Sequence, residues 1–248
     1  MDKVGQANDA LQPNAAAIAA TRFSDNATIA GELLPTTDRR LLDIGCGAGK
    51  FTRLMAQRGA EVSGIDANPE VIGQAQRAAA EAGLAIAFYQ GRGEALPFAD
   101  ASFDIVVFSN SLHHMGDMDG ALQDAARVLT PDGFLYVMEP VAWGDYHEAT
   151  KTVNDETAVR ASAYAAVQRL PTRGFTPQTE LLYRVRRRFT RYEDWRDEHI
   201  ARGAKRQALF AEQGEAIRAS FEAHAQSHGD GLALNQLFRI NLLRKSSQ

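Results

Sequence analysis

Between Arg40 and Glu139, short apolar runs alternate with stretches whose apolar residues recur every three or four positions. Leu41, Leu42 and Ile44 read as one strand, and Glu61 to Ile65, Ala85 to Tyr89, Ser102 to Phe108 and Phe134 to Met138 as four more. Runs with little polar alternation suit strands covered on both faces, as in a parallel sheet. The segments between them read as helices. Phe51, Leu54 and Met55 share a face that closes at Gly59. Val71, Ile72, Ala75, Ala79 and Ala82 make a second stripe, ended by Gly83, and Met118, Ala121, Leu122, Ala125, Val128 and Leu129 a third. Asn68-Pro69-Glu70 starts the second helix with a cap, a proline at the first helical position and an early acid. Thr130-Pro131-Asp132-Gly133 reads as a turn. Strand and helix in alternation predict an α/β fold: a doubly wound, mostly parallel sheet with helices on both faces.

The flanks are less regular. Residues 1–36 are alanine-rich and helical in character, with Ser24-Asp25-Asn26 breaking them in two, and the first dozen residues are expected to be mobile. Residues 146–170 read as helical. From Leu181 to Thr190, Tyr183, Val185, Arg187 and Phe189 alternate with Arg184, Arg186 and Arg188, which suits a strand. Glu193, Asp194, Asp197 and Glu198 follow, so the arginines are expected to form a solvated face paired with those acids. A helical stretch spans about 192–226, broken near Gly203, with Leu209, Ile217 and Phe221 at helical spacing. Gln236 to Leu243 reads as a last strand.

Candidate chemistry concentrates after the first core strand. Gly45, Gly47 and Gly49 remove every second Cβ from the turn, so the backbone can reverse tightly and a ligand can approach it. The helix opening near Lys50 points free N–H groups at that ligand. The dinucleotide fingerprint G-x-G-x-x-G would need glycine at Lys50 or Thr52 and is missed in both registers. Asp66 ends the second strand, 21 positions beyond Gly45, the distance at which such folds place a carboxylate for ribose hydroxyls. Cys46, between glycines, reads as a small structural residue.

Asp43-Ile44-Gly45-Cys46-Gly47-Ala48-Gly49 resembles motif I of the class I S-adenosylmethionine (AdoMet)-dependent methyltransferases, acid-x-Gly-x-Gly-x-Gly. Gln90 to Phe98 looks like the adenine-binding segment of those enzymes. Arg127-Val128-Leu129-Thr130-Pro131-Asp132-Gly133 resembles the run before the fifth strand in their small-molecule branch, which includes quinone-biosynthesis C-methyltransferases. The resemblance implies a seven-stranded sheet, with 181–190 and 236–243 as its final strands and the last antiparallel. It implies one methyltransferase domain over 1–248: an N-terminal helical cap (1–36), an AdoMet-binding core (37–140), and substrate-side helices with the final strands (141–248) covering the active site. Residues 1–36 would either pack on the domain edge or cap the cofactor. The implied activity is methyl transfer from AdoMet to a small molecule, with S-adenosylhomocysteine as product. Cofactor contacts are implied at Asp43, Gly45, Cys46, Gly47, Gly49, Asp66, Ala67, Arg92, Gly93, Glu94 and Asn110. The family usually carries an aspartate where Arg92 stands, and arginine cannot accept the adenine amino group's hydrogen bond. Adenine recognition is therefore expected to move to backbone around Gly93, to stacking, or to another acid.

His113 and His114 follow the fourth strand, which the resemblance places beside the methionine end of the cofactor. Imidazole can take a proton near neutral pH. No partner acid is visible in the sequence to orient either ring, so the expectation is a positioning role, with general base as the alternative. A metal site is not expected, because the pair lacks an acid or third histidine at ligand spacing.

The remaining properties narrow the setting. A chain of 248 residues, 45% hydrophobic, can bury a full core. A net charge of −4 and a pI near 5.9 give no electrostatic footprint for nucleic acid or an anionic membrane. No Asn-Pro-Pro-aromatic motif follows the fourth strand, where Ser109-Asn110-Ser111-Leu112 stands, which weighs against a nucleic-acid-modifying methyltransferase. An AdoMet-binding protein without methyl transfer stays open. One cysteine cannot form an internal disulfide. With no apolar run near the ~20 residues of a membrane span, and no basic region leading into an apolar core at Met1 to Gly5, a cytoplasmic setting is expected.

Overall fold

The computed structural model describes residues 13–247, so the expectation for the first dozen residues lies outside them. In chain order the elements are α1 (Ala15–Ala19), β1 (Arg22–Phe23), α2 (Asn26–Leu33), β2 (Arg40–Ile44), α3 (Lys50–Gln57), β3 (Glu61–Asp66), α4 (Pro69–Glu81), β4 (Ala87–Gln90) and β5 (Phe103–Ser109). A 3-10 turn (Leu112–His114) leads to α5 (Met118–Val128), β6 (Leu129–Pro140), α6 (Asp145–Lys151) and α7 (Thr157–Gln168). After a second 3-10 turn (Leu170–Arg173) come β7 (Phe175–Phe189), α8 (Tyr192–Ile200), α9 (Ala204–His224), β8 (Gln226–His228) and β9 (Gly231–Lys245).

Helix starts follow the caps written in the sequence. Asp25, Asn68 and Asp117 each place a side-chain oxygen 2.8–2.9 Å from a backbone N–H of the first turn of α2, α4 and α5. Pro69 stands at the start of α4, where its missing N–H costs nothing.

Two compact units emerge, each drawn from three pieces of chain. One comprises residues 25–139, 162–181 and 239–248. In it β2 to β6 pair in parallel, with Ile44 opposite both Ile65 and Phe108, and Val107 opposite Tyr136. The carboxyl ends of β2, β3, β4 and β5 therefore face one edge, where an open α/β sheet presents its ligand loops. Leu42, Ile44, Val106 and Phe108 meet Leu122, Ala125, Ala163 and Val167 in the core of this unit. The other unit comprises the described residues up to Ser24, with 140–161 and 182–238. Its core is aromatic: Tyr146, Phe189, Tyr192, Trp195, Phe210 and Phe221.

The strand order is β1-β7-β9-β6-β5-β2-β3-β4, with β8 added on β9. β9 runs against its neighbours. Leu237 accepts from the Val141 N–H while Lys245, at the other end, reaches Leu129 O, and Ser246 N–H donates to Gly174 O. The seven expected strands are β4, β3, β2, β5, β6, β9 and β7, and among the described residues two short strands, β1 and β8, join them.

Several boundaries differ from the sequence expectation. β4 begins at Ala87 rather than Ala85. Thr130 to Gly133 is not a free turn but a bulge inside β6. While β5 advances from Phe103 to Ile105, its partner advances from Leu129 to Phe134, and Asp132 takes φ +62°. β7 begins six residues early, at Phe175, carrying Pro177 outside the two positions, Tyr183 and Arg184, that pair with β1 among the described residues. The arginine face also differs. Arg187 meets Glu198 at 3.1 Å as expected, but Arg184 and Arg186 lie over the Phe23 ring, 4.6 and 4.2 Å from its centroid. Alternation sends Arg187 toward α8 and the other two toward β1. No helix among the described residues is long and apolar enough to cross a membrane.

Candidate functional site

The glycine loop is built as the spacing demands. Gly45, Gly47 and Gly49 all have positive φ, at +69°, +52° and +72°. A Cβ on Gly45 would stand 2.6 Å from Ser111 Cβ, whereas one on Gly47, which lines a cleft, would meet nothing within 4 Å among the described residues. Gly49 caps α3 in the left-handed conformation and packs on Phe88. Gly45→Ala should therefore lose about 2 kcal/mol of stability in urea unfolding, from left-handed strain plus the Ser111 clash. An unchanged midpoint would mean that the loop relaxes freely.

That cleft, of about 610 Å³, opens at the carboxyl edge of the sheet. The loop after β2 supplies Gly45 and Gly47, the end of β3 supplies Asp66 and Ala67, and the loop after β4 supplies Gly91 to Glu94. The segment after β5 completes the wall with Asn110, Ser111, His114, Met115 and Gly116. Of the residues marked from sequence, Gly45, Gly47, Asp66, Ala67, Arg92, Gly93, Glu94, Asn110 and His114 line this space; Asp43, Cys46, Gly49 and His113 lie behind it. Gly91 falls within the Gln90–Phe98 segment, whereas Ser111, Met115 and Gly116 carry no cofactor signal in the sequence.

Asp66 sits on the lip. Its Oδ2 accepts from the Gly47 N–H and its Oδ1 from the Asn68 N–H, both at 2.9 Å, which ties the acid to the glycine loop. Asp43 is fully buried. Its Oδ2 accepts from Thr52 Oγ1 at 2.7 Å, and its Oδ1 has no partner among the described residues. Burial drives its pKa up to about 7; the Thr52 bond opposes this and the Asp66 charge adds to it. Burial likewise pushes the Cys46 thiol far above its usual range, so this sulfur is inert as a nucleophile.

The wall after β4 is pinned from below. Arg127 donates to Leu96 O at 3.0 Å and Phe98 O at 2.7 Å while pairing with Asp124 at 2.6 Å. That gives the Arg127 run a physical role in shaping the cleft. The Arg92 side chain is 70% exposed and touches Glu94 at 3.4 Å. Glu94 Oε1 accepts from the Gly116 N–H at 2.9 Å, joining the two walls. Burial tends to raise the Glu94 pKa, but the backbone N–H groups and Arg92 hold it below the usual value, so it is a carboxylate. Gly93 is closed in by Ile44 and Met115, each 2.9 Å from where a Cβ would lie.

The histidine pair divides. His113 is buried, and its Nδ1 bonds Glu139 Oε2; His114 is exposed and faces the cleft. The partner acid that the sequence did not reveal is thus Glu139, near the end of β6. It lies 26 positions away and is brought in by the β5–β6 pairing of Ser109 with Met138.

The arrangement suits a nucleoside carrying a charged tail. It offers a carboxylate for hydroxyls at Asp66, open backbone at Gly47, and a buried carboxylate oxygen without a partner at Asp43. Its volume also lies within the usual ~300–1,000 Å³ of ligand pockets.

Residues 42–137 match the family model of a methyltransferase domain. The chain is 35% identical over 137 residues to an uncharacterized methyltransferase, YcgJ, of Bacillus subtilis, covering 53% of this chain and 54% of that one. It is 39% identical over 103 residues to a ubiquinone biosynthesis O-methyltransferase of Sinorhizobium fredii, covering 42% of each. The chain spans about half the length of the curated relatives it matches. A solved structure of a putative methyltransferase from Bacillus halodurans superposes with a TM-score of 0.67 at 18% identity, over 90% of this chain and all of that one, which shows the fold. Residues 42–137 thus match a methyltransferase domain, resemble stretches of named methyltransferases and share the fold of a solved one.

Proposed function

We propose that the cleft binds AdoMet and that the protein transfers its methyl group to a small-molecule acceptor. The observation that carries this is Asp66. Its carboxylate is tied to the Gly47 N–H at the lip of the cleft, in the position from which an acid reaches ribose hydroxyls. When bound, AdoMet supplies a methyl group on a sulfonium that is already activated toward in-line attack. The protein's part is to hold, align and exclude water. Asp66 grips the ribose, and the glycine loop offers backbone to the amino-acid tail, with Asp43 behind it as counter-charge. Glu94, which lines the cleft as a carboxylate, would take the adenine amino group in place of the usual acid at the position of Arg92. His114 stands in the wall after β5, toward the acceptor. The relative's acceptor, an intermediate of ubiquinone biosynthesis, makes phenols and quinols the first acceptors to try.

Calorimetric titration with AdoMet, then S-adenosylhomocysteine formation against a panel of small phenols, quinols, amines and thiols, tests the two halves separately. Binding without turnover on any acceptor would favour an AdoMet-binding protein that transfers no methyl group. Arg92 gives a sharper check. With its side chain mostly in solvent, Arg92→Ala should weaken AdoMet by about tenfold or less. A loss as large as that from removing Asp66 would mean that the guanidinium itself grips the cofactor.

A further inference from the structure

One carboxylate organises the wall that carries His114. Glu139 is 9% exposed, and its Oε1 accepts from the backbone N–H of Leu112 at 2.8 Å and of His113 at 3.4 Å. Its Oε2 bonds His113 Nδ1. A carboxylate oxygen can accept from a ring N–H, so this bond holds the His113 ring by its Nδ1. The His113 ring lies against that of His114, with centroids 3.9 Å apart and planes 47° from each other. His113 has a side chain only 3% exposed and lies outside the cleft lining, whereas His114 is part of it. The chain of contact therefore runs from Glu139 through the Leu112–His114 turn and the His113 ring to His114.

We propose that Glu139 is a positioning residue for methyl transfer: through His113 and the turn it fixes where His114 stands beside the acceptor. This rests on the AdoMet reading of the cleft. Alignment is most of what such a reaction asks of a protein, and a displacement of about 1 Å at a reacting group can cost about 100-fold. A carboxylate with three bonds offsets its own burial and leaves the turn little freedom.

Glu139→Gln tests this. The amide keeps the shape but offers one acceptor oxygen in place of two, so with the backbone bonds kept an Nδ1–H donor loses its acceptor, and the ring can be held there only by moving its proton to Nε2 and accepting from the amide N–H. In protein labelled with 15N-histidine, S-adenosylhomocysteine should move the His114 ring signals of the wild type. In Glu139→Gln the affinity for S-adenosylhomocysteine should stay within about threefold, while the His113 Nδ1–H signal and the His114 response are lost. With an acceptor from the panel, kcat should fall about 10- to 100-fold and the KM for AdoMet by less than about threefold. In a His114→Ala background the same change should cost less than about twofold, because the route runs through His114.

Affinity and kcat falling together would overturn the proposal in favour of general support of the cleft, and so would an undiminished effect without His114. Wild-type protein that fails to bind S-adenosylhomocysteine would remove the AdoMet reading and this proposal with it. Normal binding with an unaffected Glu139→Gln variant would remove the positioning role alone. Should Glu139→Gln not fold, His113→Asn keeps both backbone bonds to Glu139 and must show the same split between kcat and affinity.

Discussion

Replacing Asp66 by alanine should weaken AdoMet binding by roughly 30- to 1000-fold, read by calorimetry, which corresponds to ~2–4 kcal/mol for two charge-assisted hydrogen bonds. The expectation follows from position. Asp66 ends β3, lines the cleft and is oriented by the Gly47 and Asn68 N–H groups, so its oxygens are held in place before any ligand arrives. Pre-ordering of this kind lowers the cost of binding. The same two bonds complicate the result, because alanine also leaves the Gly47 N–H without its acceptor. Asp66→Asn, which retains an acceptor oxygen, should lose less affinity than alanine and melt closer to the wild type. Unchanged affinity in the alanine variant would place the AdoMet site elsewhere.

Asp43 should show the opposite balance, gaining stability and losing function. Its pKa is about 7 in the fold, against about 4 in an unfolded chain. Between those values the folded state holds a proton that the unfolded state has released, so stability falls as pH rises through that window. The full difference is on the order of 4 kcal/mol above pH 7 and vanishes below about pH 4. Asp43→Asn cannot ionise. The stability of this variant minus that of the wild type should therefore grow from about pH 4 to 7 and then level off. His199, which burial holds down at about 4, acts with the opposite slope, but it is present in both proteins and cancels in the difference. Urea unfolding of both proteins across this range is the measurement, and a difference that does not change with pH would refute the buried ionisation. The variant should also bind AdoMet more weakly, since the proposed counter-charge is gone, which is the usual exchange of stability for function.

The sequence legibility of this molecule tracks how local each signal is. Gly45, Gly47, Gly49 and Asp66 could be read because one strand–turn–helix–strand unit fixes their spacing and each backbone demand falls on a named residue type. Glu139 could not, because it meets His113 only through the register of β5 on β6. Ser111, Met115 and Gly116 are ordinary residues that the fold brings to a cleft, and nothing in their types announces it. The early start of β7 is hidden by Thr176, Pro177, Gln178 and Thr179, a polar run that reads as a loop and, among the described residues, lies outside the pairing with β1. Thr130 to Gly133 reads as a turn ahead of a strand because its residue types are turn formers, but Leu129 and Phe134 pair with β5 on both sides of it, so it is an irregularity within one strand.

The way the two compact units share the chain constrains anyone who would re-engineer this protein. Tyr146, Ala149 and Val153 come from residues 140–161, while Phe189, Trp195, Phe210 and Phe221, in the same aromatic cluster, come from 182–238. Grafting one of those stretches from a relative would set a foreign half-core against a native one. A chimera that keeps this core intact therefore has to exchange both inserts together, with crossover points inside β7 and β9. Truncation from the carboxyl terminus fares no better: the last strand carries Lys245, whose ammonium caps the Ala126 and Leu129 carbonyls where α5 ends. The unit of exchange is a pair of inserts, not a terminal module.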